Sequence, residues 1–181
     1  EKALVLLNFP NNPTGYTPTE SEAEAIAKTL VELAQGGRRF VALCDDAYFG
    51  LGYEPAVAKE SLFAKLVQRH ANILPIKLDG ATKEDYVWGF RVGFLTFPGP
   101  AKVAEALEKK AAGVVRGAIS NVSQLSQSAV LKAMAAPAYK EDKQKKFAVM
   151  KARYDQVKAV LARPEYAEVW KPYPFNSGYF F

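Results

Sequence analysis

The chain has 181 residues, with 24 Lys and Arg against 19 Asp and Glu and a single His, for a formal net charge of +5. Hydrophobic residues make up 49% and charged residues 24%, a globular balance that excludes a disordered tail, a collagen-like fibre and a disulfide scaffold. No apolar run approaches the roughly 18 residues a membrane-spanning helix needs, and the lone Cys44 cannot form an internal disulfide, which fits a reducing, cytoplasmic setting.

Residues 4–10 form an apolar run stopped by the turn residues Asn11-Asn12-Pro13-Thr14-Gly15 and read as a buried strand. A helix follows, with Thr17 as cap, Pro18 at the first position and Glu20 closing a capping box. It runs to about Gln35, with Ile26, Leu30, Val31 and Leu33 on its apolar face, and ends at Gly36-Gly37. Residues 40–44 read as a second strand, 61–70 as a short helix, 73–78 as a third strand weakened by Pro75, and 92–97 as a fourth. Continuously apolar strands alternating with helices imply an α/β fold, a mostly parallel sheet flanked by helices and covered on both faces. Ligands in such sheets sit beyond the carboxyl ends of the strands.

From Pro100 the pattern turns helical, over 100–115, 121–135 and 138–162, and the last helix is long enough to connect two domains. Its basic residues alternate with acids, as in Lys140-Glu141-Asp142-Lys143, which marks a solvated face and not a nucleic-acid surface. Pro164, Pro172 and Pro174 break the chain before a final strand at Gly178-Tyr179-Phe180-Phe181. Strand-like segments at both ends are expected of a piece of a longer protein.

Polar residues gather where the strands end. Asn12 follows the first strand, Asp45, Asp46 and Tyr48 the second, and Lys83 the third, with Gly89-Phe90-Arg91-Val92-Gly93 leading into the fourth. An amide, a carboxylate, a phenol, an amine and a guanidinium therefore converge on one cleft if these strands are neighbours. A lone lysine can form a Schiff base, a carboxylate can hold a ring nitrogen protonated, a phenol and an amide can bond a ring oxygen, and an arginine can clamp a phosphate. Pyridoxal phosphate offers a partner for every one of these groups. His70, the only histidine, reads as structural, so no Ser–His or Cys–His pair is available. One His and one Cys also exclude a zinc site of the usual kind. Cys44 reads as inert packing, and Trp88 and Phe90 as core residues.

The stretches Asn12-Pro13-Thr14-Gly15, Asp45-Asp46-Ala47-Tyr48, and Thr82-Lys83 with Gly89-Phe90-Arg91-Val92-Gly93 together resemble the fold-type I pyridoxal-phosphate enzymes, specifically the class I/II, aspartate aminotransferase-like family. The resemblance implies an aminotransferase that moves an amino group between an amino acid and a 2-oxo acid and works as a homodimer, with neither nucleic acid nor membrane as partner. It implies that Lys83 carries the cofactor and shuttles the substrate's α-proton. Asp45, three residues before Tyr48, pairs with the pyridine nitrogen, while Asp46 is a neighbouring acid of lesser role. Tyr48 and Asn12 contact the ring oxygen, Asn12 also meets the substrate carboxylate, and Arg91 and Thr82 hold the phosphate. Gly80 stands where many members carry a phosphate-binding serine. Arg116, within Arg116-Gly117-Ala118-Ile119-Ser120-Asn121, resembles an arginine that crosses the dimer interface to the substrate of the partner's site. The implied layout is part of the cofactor-binding large domain over 1–135, a connecting helix over 136–165 and the start of a small domain over 166–181. A pyridoxal-phosphate lyase and a cofactor-binding regulatory domain of a transcription factor use the same scaffold groups.

Overall fold

The computed structural model describes residues 1–180. Four strands, β1 (Lys2–Asn8), β2 (Arg39–Asp45), β3 (Ile73–Asp79) and β4 (Phe94–Thr96), form one sheet in the order β1-β2-β3-β4. The first three run parallel and β4 is antiparallel to β3. Pro75 sits inside β3 without breaking it, because β4 pairs only from Lys77 onward. Phe40 and Asp46 donate to Asn72 and Leu78, so the residues of β3 that face β2 alternate with Pro75 and its missing N–H points away from the ladder.

Helices α1 (Glu20–Gln35) and α2 (Leu62–Leu66) cover one face of this sheet. Ala23, Ala27, Leu30 and Ala34 fall on one side of α1, and three of the four are alanines, so the helix lies close upon Phe40, Ala42 and Cys44 of β2. Leu33, expected on that apolar face, is exposed. The helix also starts two residues later than its sequence suggests. Thr19 is the cap, accepting from Glu22 N–H at 3.3 Å while Glu22 Oε2 accepts from Thr19 N–H at 2.8 Å. Thr17 is unavailable because Asn176 Oδ1 takes its N–H at 2.8 Å and Ser177 shares its hydroxyl at 2.7 Å. Helix α2 is shorter than expected: Val67 turns extended and Gln68 adopts a left-handed φ of 58°.

The other face of the sheet is open, which corrects the expectation of cover on both sides. Register places Leu4, Val41 and Leu74 side by side, then Leu6, Leu43 and Ile76, and Leu4 and Leu6 are 67% and 61% exposed. Both helices that follow the parallel strands pack on the same side, so this apolar face meets no helix among the described residues.

Three further helices follow α3 (Ala81–Glu84) and a 3-10 turn at Trp88–Phe90: α4 (Ala101–Ile119), α5 (Gln124–Met134) and α6 (Tyr139–Leu161), with a second 3-10 turn at Pro164–Tyr166. Phe147, Met150, Tyr154, Val157 and Leu161 line one stripe of α6 and pack on Tyr48, Leu51, Tyr53 and Phe175. Val130 of α5 packs on Ala81 and Val92. No residue of α4 is buried. Trp88 and Phe90, expected in the core, are 72% and 43% exposed, since the 3-10 turn carries them outward while Val87 and Val92 pack inward. The expected final strand is replaced by a single bridge between Gly52 and Ser177, and Phe181 lies outside the described residues.

Candidate active site

β1 and β2 end level, so register sets Asn8 opposite Asp45 on the open face at the carboxyl edge of the sheet. Asn8 Nδ2 donates to Asp45 Oδ2 at 3.0 Å, and the Ala47 N–H donates to Oδ1 at 3.2 Å. Both carboxylate oxygens are thereby oriented. The next residue alternates to the opposite face. Asp46 is buried between the sheet and the α1–α2 layer, near Leu7, Phe49, Ser61 and Leu62. Burial pushes its carboxyl up to about 6, against the pull of the Ser61 hydroxyl and Lys77. Its Oδ2 accepts no hydrogen bond. Lys77 Nζ stands 3.6 Å away and is shared with Asp79. The two adjacent acids thus face different surroundings, and only Asp45 meets the cleft.

β3 delivers the chain to Gly80 and then to α3, which carries Thr82 and Lys83. A Cβ on Gly80 would lie 2.9 Å from the Val92 carbonyl oxygen and 3.4 Å from Gly93 Cα, so the strand leading to β4 crosses where a side chain would stand. That close approach leaves little room for any side chain at this position. Thr82 Oγ1 donates to the same Val92 carbonyl at 3.3 Å. Arg91 closes the 3-10 turn in a left-handed conformation, with φ 55°, and donates from Nη1 to Trp88 O at 3.2 Å. Lys83 Nζ lies 5.3 Å from the centre of the Tyr48 ring and 5.6 Å from that of Tyr179. Asp45, Tyr48, Thr82, Lys83 and Arg91 line one cleft of about 310 Å³, with Gly80 and Gly93 forming its backbone wall.

Two expected residues are elsewhere. Asn12 is exposed in the loop after β1 and does not line the cleft. Its N–H donates to Asn8 Oδ1 at 3.0 Å, which ties the loop to Asp45 through Asn8. Arg116 sits in the last turn of α4, exposed, and donates to Ser120 Oγ at 2.7 Å. Gly15, in the turn that holds Asn12, has a structural role: its φ is +64°, and a Cβ there would lie 2.0 Å from Phe180 O. Its own carbonyl accepts from the N–H groups of Asn176 and Ser177, both at 2.9 Å.

Sequence reading missed Asn8 and Tyr179. Asn8 was legible as a polar residue ending an apolar strand level with Asp45. Tyr179 had no local signal; its hydroxyl donates to Lys83 O at 3.0 Å. Burial, with Tyr86 and Tyr48 nearby, pushes that phenol up to about 12. Cys44 is fully buried and its thiol is likewise pushed up to about 12 by burial, in keeping with inert packing. Nδ1 of His70 accepts from the Asn72 N–H at 3.1 Å, a local structural bond. Among the described residues no cluster of His, Cys, Asp and Glu could hold a metal, and no helix is long and apolar enough to cross a membrane.

A lysine, a strand-end carboxylate, a phenol and an arginine line one cleft of an α/β sheet, a set of groups that could hold a small anionic ligand bearing a carbonyl. The pattern of the family "Aminotransferase class I and II" matches residues 1–181, and the chain belongs to that family. It is 30% identical over 130 residues to the probable N-acetyl-LL-diaminopimelate aminotransferase of Bacillus subtilis, a match covering 72% of this chain and 28% of that protein. Its fold resembles that of an aminotransferase from Anaerococcus prevotii, with a TM-score of 0.78 at 17% identity over 98% of this chain and 43% of the other. It also resembles an aromatic-amino-acid aminotransferase of Burkholderia pseudomallei described as covalently bound to pyridoxal phosphate, with a TM-score of 0.61 at 22% identity over 84% and 36%. The chain spans about a third of the length of the curated relatives it matches.

Proposed function

We propose that this chain carries the cofactor-binding cleft of an aminotransferase that moves an amino group between an amino acid and a 2-oxo acid. The observation that carries the reading is the convergence of Lys83, Asp45, Tyr48, Thr82 and Arg91, from three separate stretches of sequence, on one cleft. Family membership and the aminotransferase names of the relatives support it, and neither favours a lyase or a transcriptional regulator.

The donor set fits pyridoxal phosphate. The cleft holds one amine for its aldehyde, one carboxylate with both oxygens oriented for its ring nitrogen, and a hydroxyl and a guanidinium for its phosphate. When bound, the cofactor supplies an electron sink for the bond broken at the substrate's α-carbon. Lys83 Nζ would be the amine that holds the cofactor and the base placed to take and return the α-proton. Asp45 keeps a proton on the ring nitrogen through its oriented carboxylate. Tyr48 would offer its hydroxyl to the ring oxygen, and Arg91 and Thr82 would hold the phosphate. Asn12 lies outside the cleft, and its part in the site is to tie its loop to Asn8, which orients Asp45; a contact with the ring oxygen or the substrate carboxylate would require that loop to move inward.

The working form is a homodimer in the cytoplasm, in which Arg116 serves the partner's cleft. Support for the dimer comes from α4, where Val114 and Ile119 are 69% and 61% exposed on the helix that carries Arg116. The reading is tested by incubating the full protein with pyridoxal phosphate, reducing with borohydride and mapping the modified lysine. The label is expected on Lys83 and turnover is expected to vanish in Lys83→Ala. A label on another lysine refutes the reading.

A further inference from the structure

Tyr179 comes from the far end of the chain, yet it touches Lys83 twice. Its hydroxyl donates to the Lys83 carbonyl at 3.0 Å, and its ring stands 5.6 Å from Lys83 Nζ. The Tyr48 ring flanks the same amine at 5.3 Å and meets Tyr179 edge-on, with centroids 5.8 Å apart. The segment that presents Tyr179 is held on both sides. Asn176 Nδ2 donates to Thr17 O at 2.8 Å, the Gly178 N–H donates to Leu51 O at 2.9 Å, and the buried Tyr53 hydroxyl donates to Gly178 O at 2.7 Å. The Lys83 carbonyl ends the short helix α3 and already accepts from the Tyr86 N–H at 3.1 Å, so the phenol supplies a second donor and fixes the backbone beneath the amine.

We propose that Tyr179 is a positioning residue for Lys83: its hydroxyl anchors the lysine's backbone and its ring, with that of Tyr48, forms an aromatic clamp that confines the amine to the cleft. The ring faces favour a cation between them and shield it from reagents that approach from solvent. The phenol keeps its proton throughout the working pH range, because burial raises it to about 12, so it remains a donor. The positioning claim rests on Lys83 being the attachment point proposed above.

Two readouts on the full protein separate the claims. The first is site-resolved acetylation of lysines by N-hydroxysuccinimidyl acetate without cofactor, read by mass spectrometry, with the exposed Lys109 as internal standard. Tyr179→Leu is expected to raise the Lys83 rate about three- to fivefold, the loss of one ring–ammonium contact, while Lys109 is unchanged. Tyr179→Phe, which keeps the ring, is expected to stay within about twofold of wild type. The second readout is the rate at which pyridoxal phosphate becomes reducible onto Lys83, expected to fall in Tyr179→Leu because an unconfined amine loses its orientation. Opposite signs for the small reagent and the directed ligand mark positioning. A Lys83 acetylation rate unchanged in Tyr179→Leu, or a rise shared by Lys109, overturns the proposal. Wild-type protein that takes up no pyridoxal phosphate on Lys83 refutes the aminotransferase reading instead, and the acetylation result then decides the clamp alone.

Discussion

Replacing Asp46 by Asn should remove a specific segment of the protein's pH-dependent stability. The carboxyl is 4% exposed, has one oxygen without a hydrogen bond, and sits about 3.6 Å from a lysine already shared with Asp79. Burial raises it from the ordinary 3.8 to about 6, which makes its ionised form on the order of 3 kcal/mol costlier in the fold than in water. The native state therefore holds a proton between about pH 4 and pH 6 that the unfolded chain has released, and stability falls as pH rises through that window. Above pH 6 both states are ionised and the full penalty is present; below pH 4 both are protonated and it is absent. Urea unfolding of wild type and Asp46→Asn at pH 3.5 to 8 measures the difference. The variant should gain about 3 kcal/mol relative to wild type between pH 4 and 6 and run parallel to it outside that range. A difference that stays flat across the window, or grows toward low pH, would refute the assignment of the buried charge.

Two other substitutions test the cleft. Asp45→Asn should slow α-proton removal, followed by isotope exchange at the amino acid's α-carbon, by at least about a hundredfold, whereas Asp46→Asn should change it far less. The reverse order would show that the wrong acid has been assigned. Gly80→Ser should destabilise the protein by about 1–3 kcal/mol by urea titration without tightening pyridoxal phosphate binding, because its Cβ meets Val92 O at 2.9 Å. Tighter binding with unchanged stability would refute the account of that glycine.

The strands and their order of appearance are legible because each is a continuous apolar run bounded by turn residues. The cleft is legible because Asp45, Tyr48, Thr82, Lys83 and Arg91 all fall just beyond such runs. What escapes sequence reading depends on partners distant along the chain. Two overlapping capping boxes begin at Thr17 and Thr19, and local chemistry cannot choose between them; Asn176 and Ser177 decide by occupying Thr17. Trp88 and Phe90 look like core residues by composition, but the 3-10 turn rotates them outward. The bare sheet face has the same origin: Leu4 and Leu6 signal burial, while the side on which α1 and α2 pack is set by the connections. Tyr179 is the extreme case, since nothing near it in sequence refers to Lys83.

The bonds from Thr17 and Gly15 to Asn176 and Ser177 span separations of 159 to 162 residues. Closing a flexible loop of that length costs about 4–5 kcal/mol in chain entropy beyond a constant, so these contacts gain little until the sheet has drawn the intervening chain together. They are also among the most non-local contacts in the protein, the kind that slows folding. During synthesis, Asp45, Lys83 and Arg91 can reach their strand ends while the chain is still growing, but the Tyr179 side of the clamp has to wait until residues 176–179 have left the ribosome. Under the proposed roles, Lys83 is made before the wall that Tyr179 supplies, which leaves a period in which a carbonyl compound from solution can meet the amine with only the Tyr48 ring beside it.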